Sequence, residues 1–143
     1  MKTFKIYTAG KMYGLSYSDQ IEWRIELERL IRTVSDNVFF VHPPHYYRYD
    51  NEHWDEREAM IWCLSQIRDS DIVVVNLNQI GKSIGTNMEL GFIEAINQMS
   101  DKHIHVVGVG EPDIEHPWLN KILLHQEATL KQAAAYISAY LLI

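Results

Sequence analysis

Short apolar runs alternate along this chain with longer stretches whose apolar residues fall on one helical face. Residues 3–8 (TFKIYT) read as a first strand, and residues 9–17 (AGKMYGLSY) as a loop broken by Gly10 and Gly14. Over residues 18–34, Trp23, Leu27, Leu30, Ile31 and Val34 recur at helical spacing, which predicts a first helix. Residues 38–41 form a short apolar strand stopped by Pro43 and Pro44, and a polar, aromatic loop follows to Trp54. Residues 55–68 carry Met60, Cys63, Leu64 and Ile67 on one face of a second helix. Residues 71–77 (DIVVVNL) are β-branched and nearly all apolar, the signature of a strand covered on both faces. A loop over 78–85, a helix over 87–99 and a strand over 103–109 come next. Pro117 opens a short helical piece, residues 123–125 suggest a weak fifth strand, and residues 130–142 a terminal helix.

Strands that alternate with helices pair in parallel and carry helices on both faces. The expected architecture is therefore α/β: a doubly wound, flavodoxin-like parallel sheet of about five strands, with residues 1–143 forming one domain. Sheets of this kind bind ligands beyond the carboxyl ends of their strands, where the strand order reverses. That places the site among the loops 10–14, 42–54 and 78–87.

Composition narrows the function classes. At 143 residues, 47% hydrophobic and 22% charged, the chain has material for a real core. A net charge of −6 argues against a broad surface for nucleic-acid polymers, though not against a small nucleotide held by local groups. The single cysteine, Cys63, excludes an intrachain disulfide. The chain enters a strand pattern at once, without the apolar core of a signal peptide, and no apolar run approaches the ~20 residues a bilayer requires. A cytoplasmic protein without a membrane partner is the expectation.

The segment Ser83-Ile84-Gly85-Thr86-Asn87-Met88-Glu89-Leu90-Gly91 follows the buried strand and opens a helix. Free amides at a helix start favour an anion or polar ligand, and the dipole there favours an ionised Glu89 in the first turn. An ionised carboxylate beside a ligand could act as a nucleophile. Thr86-x-x-Glu89 also has the spacing of a capping box, in which Glu89 would merely bind the N-cap amide. There is no GK[ST] at Walker spacing and no GxGxxG after the first strand. His42 and His45 flank the two prolines, and His103 and His105 alternate on a strand; a metal site would need three or four ligands converging, so loop and surface histidines are the expectation. Cys63 reads as a buried structural cysteine. Tyr46, Tyr47, Tyr49 and Trp54 would stack on a base or form a lid or subunit contact. Lys11 would meet a phosphate or simply be solvated.

Taken together, KIYTAGKM near the N-terminus, SDIVVVNL in the middle and SIGTNMELG after it resemble the nucleoside 2-deoxyribosyltransferase family, in order and at family-like spacing up to about Val109. The resemblance implies cleavage or transfer at the N-glycosidic bond of a 2'-deoxynucleoside or its 5'-monophosphate. The glutamate of the ELG motif, here Glu89, would attack C1' of the sugar and form a deoxyribosyl-enzyme ester, a logic parallel to that of retaining glycosidases. Tyr7, matching a first-strand tyrosine, would orient it. Gly10, Lys11, Met12, His42, Ser83, Gly85 and Asn87 are the substrate-binding residues expected around this pair. Neither metal nor organic cofactor is implied, and a homo-oligomer, dimer or higher, is. Trp118 would then reach a neighbouring subunit's site or pack under its own domain.

Two departures accompany the resemblance. The family carries an aspartate eight residues before the one that opens the buried strand; counting back from Asp71 gives Cys63. A thiol is a poor substitute for a carboxyl that handles the base, so a nucleotide-binding module of impaired activity is the alternative. Six residues before Glu89, nucleoside-specific members have an acidic residue and the monophosphate branch a serine, here Ser83. That branch's first loop offers a serine and an arginine, where this one offers Lys11 and Tyr13.

Overall fold

A computed structural model of the chain describes residues 2–46 and 55–143. Five strands make one parallel sheet: β1 (Phe4–Ala9), β2 (Val38–Val41), β3 (Ile72–Asn76), β4 (His105–Val109) and β5 (His125–Glu127), in the order β2-β1-β3-β4-β5. Six helices connect and cover them: α1 (Tyr17–Arg32), α2 (Pro43–Tyr46), α3 (Glu56–Arg68), α4 (Ile84–Met99), α5 (Pro117–Ile122) and α6 (Leu130–Tyr136). This is the doubly wound, flavodoxin-like order.

Side chains alternate across each strand, so one strand feeds two cores. From β1, Ile6 packs with Leu27 and Ile31 of α1 and Ala133 of α6, while Tyr7 and Ala9 turn to the opposite face, against Ile67 of α3 and Leu90 and Ile93 of α4. From β3, Ile72 and Val74 join the first core and Val73 and Val75 the second. That two-sided demand is why residues 72–75 are apolar without interruption.

Several bounds differ from the sequence reading. Pro43 and Pro44 do stop β2, but they then begin the single turn α2, because a proline's fixed φ suits a first helical position. α4 starts at Ile84, three residues before the expected 87, with Ser83 as its N-cap. The last strand lies at His125–Glu127 rather than 123–125. The C-terminal helix is α-helical only to Tyr136 and continues as a π-turn over Ile137–Leu141. Of the aromatic loop, Tyr47, Tyr49 and Trp54 lie outside the described residues; Tyr46 packs on Trp62 at 4.9 Å between ring centres. No helix among the described residues is long and apolar enough to cross a membrane.

Candidate functional site

The strand order reverses at β1, which has β2 on one side and β3 on the other. Beyond its carboxyl end lies a cavity of about 390 Å3, walled by the β1–α1 loop, by α3 and by residues 82–86 with Met88 and Glu89. Its size is that of an ordinary small-molecule site.

Tyr7 and Glu89 meet at its floor. They are 82 residues apart, yet the Tyr7 hydroxyl donates to Glu89 Oε2 at 2.5 Å. β1 sends Tyr7 toward the α3–α4 face, and α4 carries Glu89 over it. Glu89 is half-buried, and the surface it keeps lines the cavity rather than open solvent. The expected capping box is absent. Thr86 lies inside α4, buried, and its hydroxyl pairs with that of Ser83 at 2.6 Å. Glu89 is the sixth residue of α4, counted from Ile84. It has passed the first turn, where dipole and free amides act.

That changes the electrostatics expected from the sequence. Burial raises the Glu89 carboxyl to about 7, against the lowering effects of the Tyr7 hydrogen bond and the Arg24 charge. Near neutral pH both forms of the carboxyl are populated, and the ionised one can act as a nucleophile. Burial and the nearby carboxylate push Tyr7 well above its usual range, so its hydroxyl stays a donor. Cys63 lines the cavity beside this pair and is half-buried rather than fully buried. Burial, then Glu89, raises its thiol to about 12, so it stays protonated.

Of the expected substrate-binding residues, Gly10, Lys11, Met12, Ser83 and Gly85 line the cavity. Gly10 is closely packed there: a Cβ would lie 3.0 Å from the Trp23 ring and 3.2 Å from Asn76 Cβ, so both neighbours would have to shift. Lys11 Nζ donates to Tyr13 O at 2.6 Å, closing a loop whose Gly14 takes φ +83°. His42 and Asn87 do not line the cavity. His42 is buried behind β1, between Thr8 Oγ1 (2.8 Å) and Glu28 Oε1 (2.7 Å). Asn87 turns its amide back onto Ile80 O (2.8 Å) and Ser83 O (2.9 Å), bracing the turn before α4.

The sequence reading missed Arg24, which is fully buried on α1 and lines the cavity. The signal was available, since position 24 lies on the same helical stripe as Leu27 and Ile31. It also missed Glu56, the other carboxylate lining the cavity among the described residues. Trp118 does not pack under its own domain; it is 76% exposed. His103 precedes β4 instead of alternating within it, its ring 4.7 Å from that of His105. Among the described residues no three His, Cys, Asp or Glu side chains gather as a metal site.

No family model matches the chain, and no curated protein sequence does. Solved structures do. A conserved protein from Enterococcus faecalis V583 superposes with a TM-score of 0.72 at 16% identity, over 97% of this chain and 99% of that one. The 2-deoxyribosyltransferase from the psychrotolerant bacterium Bacillus psychrosaccharolyticus gives 0.66 at 18% identity, over 92% and 91%. The 2-deoxyribosyltransferase from Leishmania mexicana gives 0.58 at 19% identity, over 97% and 99%. At these identities the likeness establishes the shared fold.

Proposed function

We propose that this protein belongs with the nucleoside 2-deoxyribosyltransferases and cleaves or transfers at the N-glycosidic bond of a 2'-deoxynucleoside or its 5'-monophosphate. The observation that carries the reading is the Glu89–Tyr7 pair: a recessed carboxylate, ionisable near neutrality and oriented by a phenol at 2.5 Å, on the floor of a sugar-sized cavity. Two of the structures sharing this fold over nearly their whole length are 2-deoxyribosyltransferases, which adds support.

In this reading a Glu89 oxygen attacks C1' as the bond from C1' to the base nitrogen breaks. The bonding electrons leave with the base, which takes up a proton. The proton is drawn from solvent at the cavity mouth, as the Cys63 thiol, at about 12, keeps its own at neutral pH. Water or a second base then attacks C1', and the ester opens to return the Glu89 carboxylate. The chemistry runs on side chains and requires neither metal nor organic cofactor. The chain acts as one domain on a small molecule rather than a polymer. It also acts as an oligomer, for which the exposed Tyr13, Met60, Ile84 and Met88 around the mouth provide an apolar rim; light scattering checks this.

The test is release of free base from a panel of deoxynucleosides and their 5'-monophosphates. Glu89→Gln is expected to abolish it, and no release above that variant by the wild type ends the proposal. Cys63 favours a second reading, a nucleotide-binding module without turnover. Thermal stabilisation by a nucleotide with no base released would select it.

A further inference from the structure

Arg24 holds a full positive charge inside the protein, and among the described residues no carboxylate pairs with it directly. Its hydrogen bonds go to neutral groups. Nε donates to Thr8 Oγ1 (3.2 Å) and Thr8 O (3.4 Å), one terminal nitrogen to Gln20 O, and the other to Gly10 O (3.3 Å). The guanidinium also stacks on the Trp23 ring at 4.6 Å. A buried charge satisfied only by dipoles is costly unless an opposite charge stands near. The cavity that Arg24 lines contains one, Glu89.

Behind Arg24 runs a directed chain of hydrogen bonds. Burial lowers His42 to about 4, so it is neutral at ordinary pH. Its Nε2–H then donates to Glu28, leaving Nδ1 to accept from the Thr8 hydroxyl, whose oxygen accepts from Arg24. Every donor in this chain points the same way, from the guanidinium toward the Glu28 carboxylate. Glu28 is itself a strong acceptor. Burial raises its carboxyl, but the hydrogen bonds from Arg32 and His42 outweigh that and hold it below its usual value. A polarised chain of this kind stabilises a charge at one end by the opposite charge at the other.

We propose that Arg24 is a positioning residue for Glu89, the buried cation that lets a recessed carboxylate carry its negative charge, and that Thr8, His42 and Glu28 fix that cation from behind. The Arg24 bonds to Thr8, Gln20 and Gly10 hold the guanidinium in place without substrate. The other titratable groups lining the cavity with Glu89 are Tyr7 from β1, Lys11 and Tyr13 from the β1–α1 loop, Cys63 and Glu56 from α3 and Lys82 ahead of α4. Of these, Lys11 is engaged by its own loop. The removal of Arg24 therefore raises the pH at which Glu89 ionises.

The experiment is a carbon-13 NMR titration of the Glu89 side-chain carboxyl in wild type, Arg24→Met and Thr8→Val, with folding checked by circular dichroism. Wild type is expected to titrate near 7 and Arg24→Met about one pH unit higher, with Thr8→Val moving the same way by less. A folded Arg24→Met protein with an unmoved Glu89 midpoint overturns the proposal. Should Arg24→Met not fold, the near-isosteric Thr8→Val decides it alone: an upward shift supports the proposal and no shift overturns it. This readout needs no substrate, so it stands or fails separately from the glycosidic reading. Where that reading holds, Arg24→Met loses about fivefold in rate at pH 7 and recovers at pH 9, a pattern that simple misfolding does not produce.

Discussion

At Glu89 the balance between proton and charge is set by three influences of different sign, and Tyr7 is the one that can be altered with least disturbance. Burial favours the neutral acid; the phenol and the Arg24 charge favour the anion. Tyr7→Phe keeps the ring in its core position and removes only the donor at 2.5 Å. We expect base release to slow by about tenfold to a hundredfold at pH 7, with the acid limb of the kcat/KM profile moved to higher pH. A profile that drops without moving would mean that Tyr7 does not set the charge of Glu89. At this scale the sequence was readable in part. Glu89 and Tyr7 stood in motifs, and the loop residues Gly10, Lys11, Met12, Ser83 and Gly85 could be placed from strand ends. Arg24 was hidden because an arginine on an amphipathic helix is ordinarily solvated. His42 falls outside the cavity because Glu28 and Thr8 close around its ring, which nothing in its local sequence shows.

Among the elements, α4 explains both the accuracy and the error of the sequence reading. Its apolar positions Leu90 and Ile93 announced a helix, and the unbroken apolar run of β3 announced a central strand. Parallel pairing then followed from the alternation of strands and helices. The start was misplaced because Gly85 and Thr86 look like punctuation, whereas α4 incorporates both and begins at Ile84. Three residues are nearly one turn, enough to move Glu89 out of the dipole's reach and to deny it the cap. The Asn87 amide holds this start in place, spanning Ile80 O and Ser83 O from within the helix. Asn87→Ala removes both side-chain bonds, while each carbonyl keeps a backbone donor, Ser83 N for Ile80 O and Asn87 N for Ser83 O. We expect a loss of about 1 kcal/mol, read as a lower urea midpoint at unchanged slope. KM should rise more than kcat falls, since residues 82–86 wall the cavity but Glu89 lies a turn further on. A stability equal to wild type would show that the turn needs no brace.

For the whole molecule, two recessed groups with opposite shifts should shape stability against pH. Glu89 rises from 4.5 unfolded to about 7 folded. A carboxyl raised by folding contributes stability that is complete below pH 4.5 and lost as pH climbs through 7. His42 falls from 6.5 to about 4. A base lowered by folding contributes stability that is complete above pH 6.5 and lost as pH drops through 4. The acidic loss is reinforced by Glu28, held below its usual value by Arg32 and His42 against the effect of burial. Each of the two larger shifts corresponds to up to roughly 3 kcal/mol, but their pH windows overlap with opposite slopes, so the wild-type profile should be nearly flat between about pH 4.5 and 6.5 and fall only gently on either side. The two flanks separate by mutation. Glu89→Gln cannot ionise, so its melting temperature should match wild type near pH 4.5 and exceed it increasingly toward pH 8. His42→Gln takes up no proton and should flatten the acidic flank alone. Melting curves of the three proteins from pH 4 to 9 test both assignments. A Glu89→Gln advantage that does not grow with pH would mean that the carboxylate is not held in a poorly solvated site, and the nucleophile proposed here would lose its physical basis.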